Sequence, residues 1–311
     1  MAAWACLTCA FAGCSMSGQE RLVPRLEGRP WTVAGDPDLG DLTAPDQQPV
    51  DFSVWRAADG TWQLWSCIRR TKVGGHTRLF HRWEGRNLTD PDWRLMGVAM
   101  KADARYGETP GGLQAPHVVT LGGEYLMFYG DWVRICLARG RDGKHFERCL
   151  TGGDKGPALF AEGPADNARD PMAMRVGRLW YCYYTAFPNR QGAVFCRTSP
   201  DLKVWSEAYV VSVGGQGGYG PTSAECPFVV RRGGAYYLFR TQRYGRDAAC
   251  HVYRSPDPLH FNIHSDTGYV CTLPMAAPEI VTHHGRDYVA FLLPDLKGIQ
   301  IAMLAWNANG T

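Results

Sequence analysis

Residues 171–186 read PMAMRVGRLWYCYYTA, and residues 226–242 read CPFVVRRGGAYYLFRTQ. Each is an apolar run, a Gly-containing turn and an aromatic-rich run, the signature of two short strands joined tightly. The same hairpin occurs three more times: DFSVWRAADGTWQLWSC from Asp51, APHVVTLGGEYLMFYGD from Ala115 and APEIVTHHGRDYVAFLLPD from Ala277. Anchored on Phe52, Pro116, Pro171, Pro227 and Pro278, the steps are 64, 55, 56 and 51 residues. A second landmark keeps pace, a short acidic turn closed by an aromatic. It is NLTDPDW at Trp93, GRDGKHF at Phe146, SPDLKVW at Trp205 and SPDPLHF at Phe261, in steps of 53, 59 and 56. No long stretch has helical period. A unit of about fifty residues holding roughly four strands is a propeller blade. Five units predict an all-β fold, a five-bladed β-propeller spanning residues 21–311. The fifth unit stops at GIQIAMLAW without its acidic turn, so a strand near Trp31-Thr32-Val33 is expected to complete that blade and close the ring.

Composition narrows the function classes. The chain has 311 residues, 45% hydrophobic and 20% charged, enough for a large core that one propeller accounts for. Its formal net charge of +3 is too small to argue for nucleic acid or an anionic membrane, and no basic run is present. Aromatic residues at 12% suit packed blades and sugar-stacking surfaces alike. Met1 to Gly13 is apolar, the length of a signal-peptide core and too short to span a bilayer. Residues 1–20 are therefore read as a signal peptide or lipoprotein leader, and the protein as exported: periplasmic, secreted or lipid-anchored. Phe11-Ala12-Gly13-Cys14 resembles a lipoprotein cleavage box, with Cys14 the lipidated residue. Beyond Cys6, Cys9 and Cys14, eight cysteines remain, most within strand patterns, where core packing is the ordinary role. None has the paired spacing of a zinc site, and no metal is expected. One or two disulfides are compatible with export.

The residues opening successive hairpins carry the chemistry. In a propeller the innermost strand of each blade begins near the central channel, so a residue just before it points at the axis. Asp170 lies one position before its anchor proline, Glu225 two before, and Asp51 directly precedes Phe52. Gln114-Ala115 and Ala276-Ala277 hold the matching places without an acid. Three carboxyls converging on one cavity suit glycoside cleavage, in which one donates a proton to the leaving oxygen and one attacks or activates water. A third raises the donor's pKa by like-charge repulsion. The competing role is structural: Asp170 and Glu225 capping turns or pairing with Arg169 and Arg243.

RDP at 169–171 and ECP at 225–227, in this order and spacing, resemble the motifs of glycoside hydrolase family 32, the invertase and fructanase group. The wider hairpin pattern is similar to family 43, a five-bladed relative acting on arabinosides and xylosides. The likeness covers residues of about 45 to 305. It implies a transition-state stabiliser or pKa modulator at Asp170, a general acid at Glu225 and a nucleophile or general base at Asp51. It also implies that Arg169 grips substrate hydroxyls. The implied substrate is an oligo- or polysaccharide, with no organic cofactor, no nucleic acid and no obligate protein partner.

Further candidates for the mouth come from hairpin ends. Gln114, His117, Asp131, Trp132, Arg243 and Tyr244 are candidate substrate ligands; Arg69, Arg70 and Gln242 occupy similar places. Glu279, one residue past its anchor, is expected to face off the axis. Gly214-Gly215-Gln216-Gly217-Gly218 lacks the Lys-Ser/Thr of a phosphate loop and is expected to be a flexible rim loop that closes over substrate. Two rival functions remain. One is a phosphorolytic propeller, as in glycoside phosphorylases of family 130, which needs Arg169, Arg243 and Arg70 to converge. The other is a non-catalytic carbohydrate-binding propeller.

Overall fold

The computed structural model describes residues 20–150, 156–163, 167–187 and 190–308. The proposed leader with Cys6, Cys9 and Cys14, and so the export and lipid-anchor expectations, falls outside the described residues save for Glu20. Five sheets follow one another along the chain as blades, antiparallel except where Asn262–Ile263 adds in parallel to Tyr209–Val213 at the outer edge of the third. Their inner strands are Gln48–Arg56, Gln114–Leu121, Arg169–Val176, Glu225–Arg232 and Glu279–His283. Each is paired to the next strand through the Gly turn read from sequence.

Aromatic-rich runs fill the second strands because these are covered on both faces. Trp62–Arg69, Glu124–Gly130, Leu179–Ala186 and Ala235–Arg243 are buried along nearly their whole length. A strand packed between two neighbouring blades has no solvent face, so the period-2 alternation of a half-buried strand is lost. The acidic-turn aromatics have a related task at the seams. Phe146 of blade two packs on Trp55 and Trp65 of blade one, with ring centroids 5.9 and 5.2 Å apart. Phe261 of blade four lies 6.4 Å from Tyr183 of blade three, and its amide donates to Val211 O at 3.0 Å. Trp93 of blade one donates its amide to Val33 O of blade five at 2.8 Å. Gly85 provides the seat for that indole: a Cβ there would come within 2.5 Å of the ring.

Closure occurs as the truncated fifth repeat predicts, over a longer span. Leu22–Gly35 pairs antiparallel with Gly298–Ala308, so the first strand of the chain becomes the outermost strand of the last blade. Val33 of this strand is wholly buried in the main core. Val33→Ala should lower unfolding free energy by about 1–2 kcal/mol, the cost of a small buried cavity. A denaturant midpoint unmoved by this change would remove the strand from the cooperative unit.

All eight cysteines among the described residues are free thiols, five of them buried, which matches the packing role and gives the expectation of disulfides no pair.

Candidate active site

At the start of every inner strand one non-glycine residue is left-handed: Asp51 (φ 42°), Ala115 (φ 39°), Asp170 (φ 55°), Cys226 (φ 44°) and Ala277 (φ 53°). In four blades the ladder shifts register here, between Val50 and Phe52, Gln114 and His117, Arg169 and Met172, and Glu225 and Phe228. A bulge of this kind re-aims one side chain, and backbone strain is retained where geometry serves a purpose. The five residues ring the axis. With Phe52, Pro116, Pro171, Pro227 and Glu279 they line a hollow of about 20 Å³. That is room for a water, not for a sugar ring. A sugar would have to sit above the ring, at its mouth.

The alignment differs from the sequence reading in one respect. Asp51 and Asp170 share a register, but the residue in phase with them in blade four is Cys226. Glu225 occupies the preceding position, equivalent to Val50, Gln114 and Arg169, as the cross-strand partners Thr241, Cys67, Gly130 and Thr185 show. The three acids nevertheless meet. Arg169 holds Glu225 in a fork, Nε to Oε2 at 3.0 Å and Nη2 to Oε1 at 2.6 Å. Asp170 Oδ2 accepts from the Cys226 amide at 3.0 Å. Cys226 Sγ donates to Asp51 Oδ1 at 3.2 Å, and the Tyr244 hydroxyl lies 3.2 Å from that sulfur and 3.5 Å from the same Asp51 oxygen.

Electrostatics sets the three carboxyls apart. Burial pushes the Asp170 pKa well above its ordinary value, and the charges of Asp51 and Glu225 push it further. Its Oδ1 is buried with no hydrogen-bond partner among the described residues. Burial likewise raises Asp51, the Cys226 thiol notwithstanding. Glu225 is buried too, yet the Arg169 guanidinium outweighs that penalty and keeps its carboxyl below the usual range. Pairing with Arg169, the structural role weighed for Glu225, is therefore real. The Arg169 donors that the resemblance would give to substrate hydroxyls are taken by the Glu225 carboxylate.

One layer below the ring lies a polar chain. Glu279, expected to face outward, turns to the axis: it lines the hollow, accepts from Ser53 Oγ at 3.2 Å and approaches His117 Nδ1 at 3.6 Å. Glu279 points inward as Ser53 and His117 do at the matching place after their anchors, with left-handed Ala277 turning the chain just before it. His117 is 5% exposed, and its Nε2 lies 3.2 Å from Ala173 O, so it packs beneath the mouth.

The remaining candidates divide. Tyr244 and Arg169 are in the cluster. Gln114 is buried in Arg169's register, its amide oxygen without a partner among the described residues. Asp131 is fully buried, and its carboxylate is taken up by Arg134 and by the amides of its own turn. Trp132 stacks on His76 with centroids 3.9 Å apart. Arg243 is exposed and donates to Asp247 O. The Gly214–Gly218 segment is not a loose flap. The wholly buried Arg240 clamps it, donating to Gly214 O, Gly218 O, Ser212 Oγ and Ser223 O. A Cβ on Gly217 would meet the guanidinium carbon at 2.5 Å, so glycine is needed for contact, not for motion.

Sequence reasoning placed Cys226 among core cysteines and missed Arg78. The signal for Cys226 was present: counting one residue back from each anchor gives Asp51, Ala115, Asp170, Cys226 and Ala277. Asp51, Asp170 and Cys226 offer donor atoms within 4.8 Å of one another. They form a mixed set of two carboxylate oxygens and a sulfur, and burial pushes the thiol's pKa well up, against the thiolate form a metal takes.

No protein-family model and no curated protein matches the sequence. Solved structures do match. A thermostable family-43 glycoside hydrolase is 16% identical over 86% of this chain and 95% of that chain, with a TM-score of 0.61. A Bombyx mori family-32 beta-fructofuranosidase is 18% identical over 89% of this chain and 61% of that chain, TM-score 0.59. A structure from the family-130 mannoside phosphorylases, which contain hydrolases targeting beta-1,2 mannosidic linkages in Candida mannan, is 15% identical over 90% and 96%, TM-score 0.60. The chain is a five-bladed β-propeller of the architecture seen in these family-43 and family-32 structures.

Proposed function

We propose that this protein is an exported glycoside hydrolase acting on an oligo- or polysaccharide at the mouth of the propeller. One observation carries the reading: Asp51, Asp170 and Glu225, from three different blades, are close enough to perturb one another's ionisation. Burying three carboxyls together is costly and is found where proton transfer needs it. Asp51, partly exposed at the ring, is the nucleophile or general base. Glu225 is the general acid and Asp170 tunes it. Burial makes Asp170 hold a proton to higher pH than an ordinary carboxyl, while Arg169 favours the ionised form of Glu225. Substrate hydroxyls drawing Arg169 away would raise Glu225 and equip it to donate. The apolar leader supports export.

The phosphorolytic alternative, which the family-130 likeness keeps in view, is less favoured because its three arginines are engaged apart: Arg169 pairs with Glu225, Arg243 donates to Asp247 O, and Arg70 is exposed. The test is turnover on aryl furanosides, aryl pyranosides and oligosaccharides with and without phosphate. Cleavage independent of phosphate is expected. Strict phosphate dependence would favour phosphorolysis, and binding without turnover on any member would favour a carbohydrate-binding propeller.

A further inference from the structure

The blade-one side of the mouth carries guanidinium groups that the acid cluster does not use. Arg69 ends the second strand of blade one and pairs across the ladder with Gln48, two residues before Val50 at the edge of the ring. Its Nε and Nη2 are held by Gln48 Oε1 at 2.9 and 2.7 Å, a neutral partner. Arg78 lies in a segment latched to the entry of blade two. Its amide donates to Gly111 O at 2.9 Å, it forms a parallel bridge with Gly112, and the His76 amide donates to Pro110 O. The Arg78 guanidinium lies over the Trp132 ring, 4.6 Å from its centroid, and His76 stacks on the same indole. Arg78 Nε is buried with no acceptor among the described residues.

Four half-buried arginines are matched to acids, Arg134 to Asp131, Arg148 to Glu108, Arg197 to Glu162 and Arg232 to Asp287, while Arg82 donates to Lys144 O. Neither Arg69 nor Arg78 forms an ion pair among the described residues. The field of both guanidinium groups reaches Asp51. Arg69 acts on Glu225 as well, so its charge is felt across the mouth. A guanidinium held over an aromatic ring, with a donor lacking an acceptor, is preorganised for an oxyanion.

We infer that Arg69 and Arg78, with Trp132 as platform, form a subsite for an acidic substituent on the sugar, a carboxylate or sulfate. An acidic substituent supplies the anionic partner that neither guanidinium has among the described residues, where a neutral hydroxyl offers only an uncharged acceptor. The inference rests on sugar binding at this mouth, and its test is independent of cleavage. Full-length protein bearing Glu225→Gln is applied to an array of carboxylated, sulfated and neutral glycans, with uronate oligosaccharides and their methyl esters as matched pairs. Binding should favour the acidic member by about tenfold, the worth of one charge-assisted hydrogen bond, and the preference should shrink as salt rises. Arg78→Met and Arg69→Gln, each checked for an unchanged circular dichroism spectrum, should cut the acid-to-ester ratio by about the same factor.

Equal binding of acid and ester, or a ratio untouched by both substitutions, overturns the subsite. Inorganic phosphate that competes for the site and replaces water in turnover by unsubstituted protein would assign the arginines to free phosphate and overturn it also. Acidic glycans that bind through these arginines but are never cleaved would uphold the subsite while refuting the hydrolase. Cleavage of neutral glycosides without acid preference would do the reverse.

Discussion

Glu225→Gln should lower cleavage of an oligosaccharide, or of an aryl glycoside with a poor leaving group, by about a hundred- to ten-thousand-fold, with glycan binding retained. The role can be separated from mere damage by the leaving group. A general acid matters in proportion to how badly the departing oxygen needs a proton. A dinitrophenyl glycoside, whose phenolate departs unaided, should lose far less activity than a phenyl glycoside. Asp51→Asn should depress both equally, because attack or water activation is required whichever group leaves. The comparison is needed because Arg169 favours the ionised form of Glu225, whereas burial favours the protonated form of Asp170. A leaving-group dependence that followed Asp170→Asn and not Glu225→Gln would reassign the proton donor. Loss of binding together with cleavage would leave a carbohydrate-binding propeller as the better reading.

The blade count was legible because two landmarks repeat in step, and each has a distinct physical cause. The hairpins are the inner strand pairs, and Trp93, Phe146 and Phe261 are the wedges that seat one blade on the preceding one. Closure by the first strand was legible from the incomplete fifth unit. The acids were found because propeller geometry turns a position in the repeat into a position on the axis. What failed was phase at the level of a single residue. A bulge between Glu225 and Phe228 places Cys226, not Glu225, in the ring. Glu279 also turns inward, behind left-handed Ala277, where simple alternation had sent it out. Bulges insert one residue without a compositional mark, so strand periodicity cannot locate them. Arg240's grip on the glycine loop was also invisible, since nothing local to Gly214–Gly218 indicates a buried cation 22 residues beyond the end of that loop reaching back to its carbonyls.

Asp170→Asn should move activity and stability in opposite directions. Its folded pKa stands well above the ordinary 3.8, first through burial and then through the charges of Asp51 and Glu225. Below the unfolded pKa both states are protonated and the residue's contribution is fully present. As pH rises through the folded pKa, the unfolded chain ionises freely while the folded one resists, so stability is lost. Asparagine removes that loss. It can still accept the Cys226 amide hydrogen bond through its carbonyl oxygen, and its amide offers a donor at the place where Oδ1 has no partner. The substituted protein should match the parent in Tm near pH 4 and exceed it by a growing margin towards pH 7–8. Turnover should fall over the same pH range, since a carboxyl able to ionise beside Glu225 is gone. Glu225→Gln should do the opposite to stability at neutral pH, because it leaves the 6%-exposed Arg169 guanidinium without its carboxylate. Melting curves of the parent and both variants from pH 4 to pH 8 read out all of this. If Asp170→Asn destabilised the protein at every pH, Asp170 would be a structural carboxylate held by its surroundings, and its place in a catalytic set would fall.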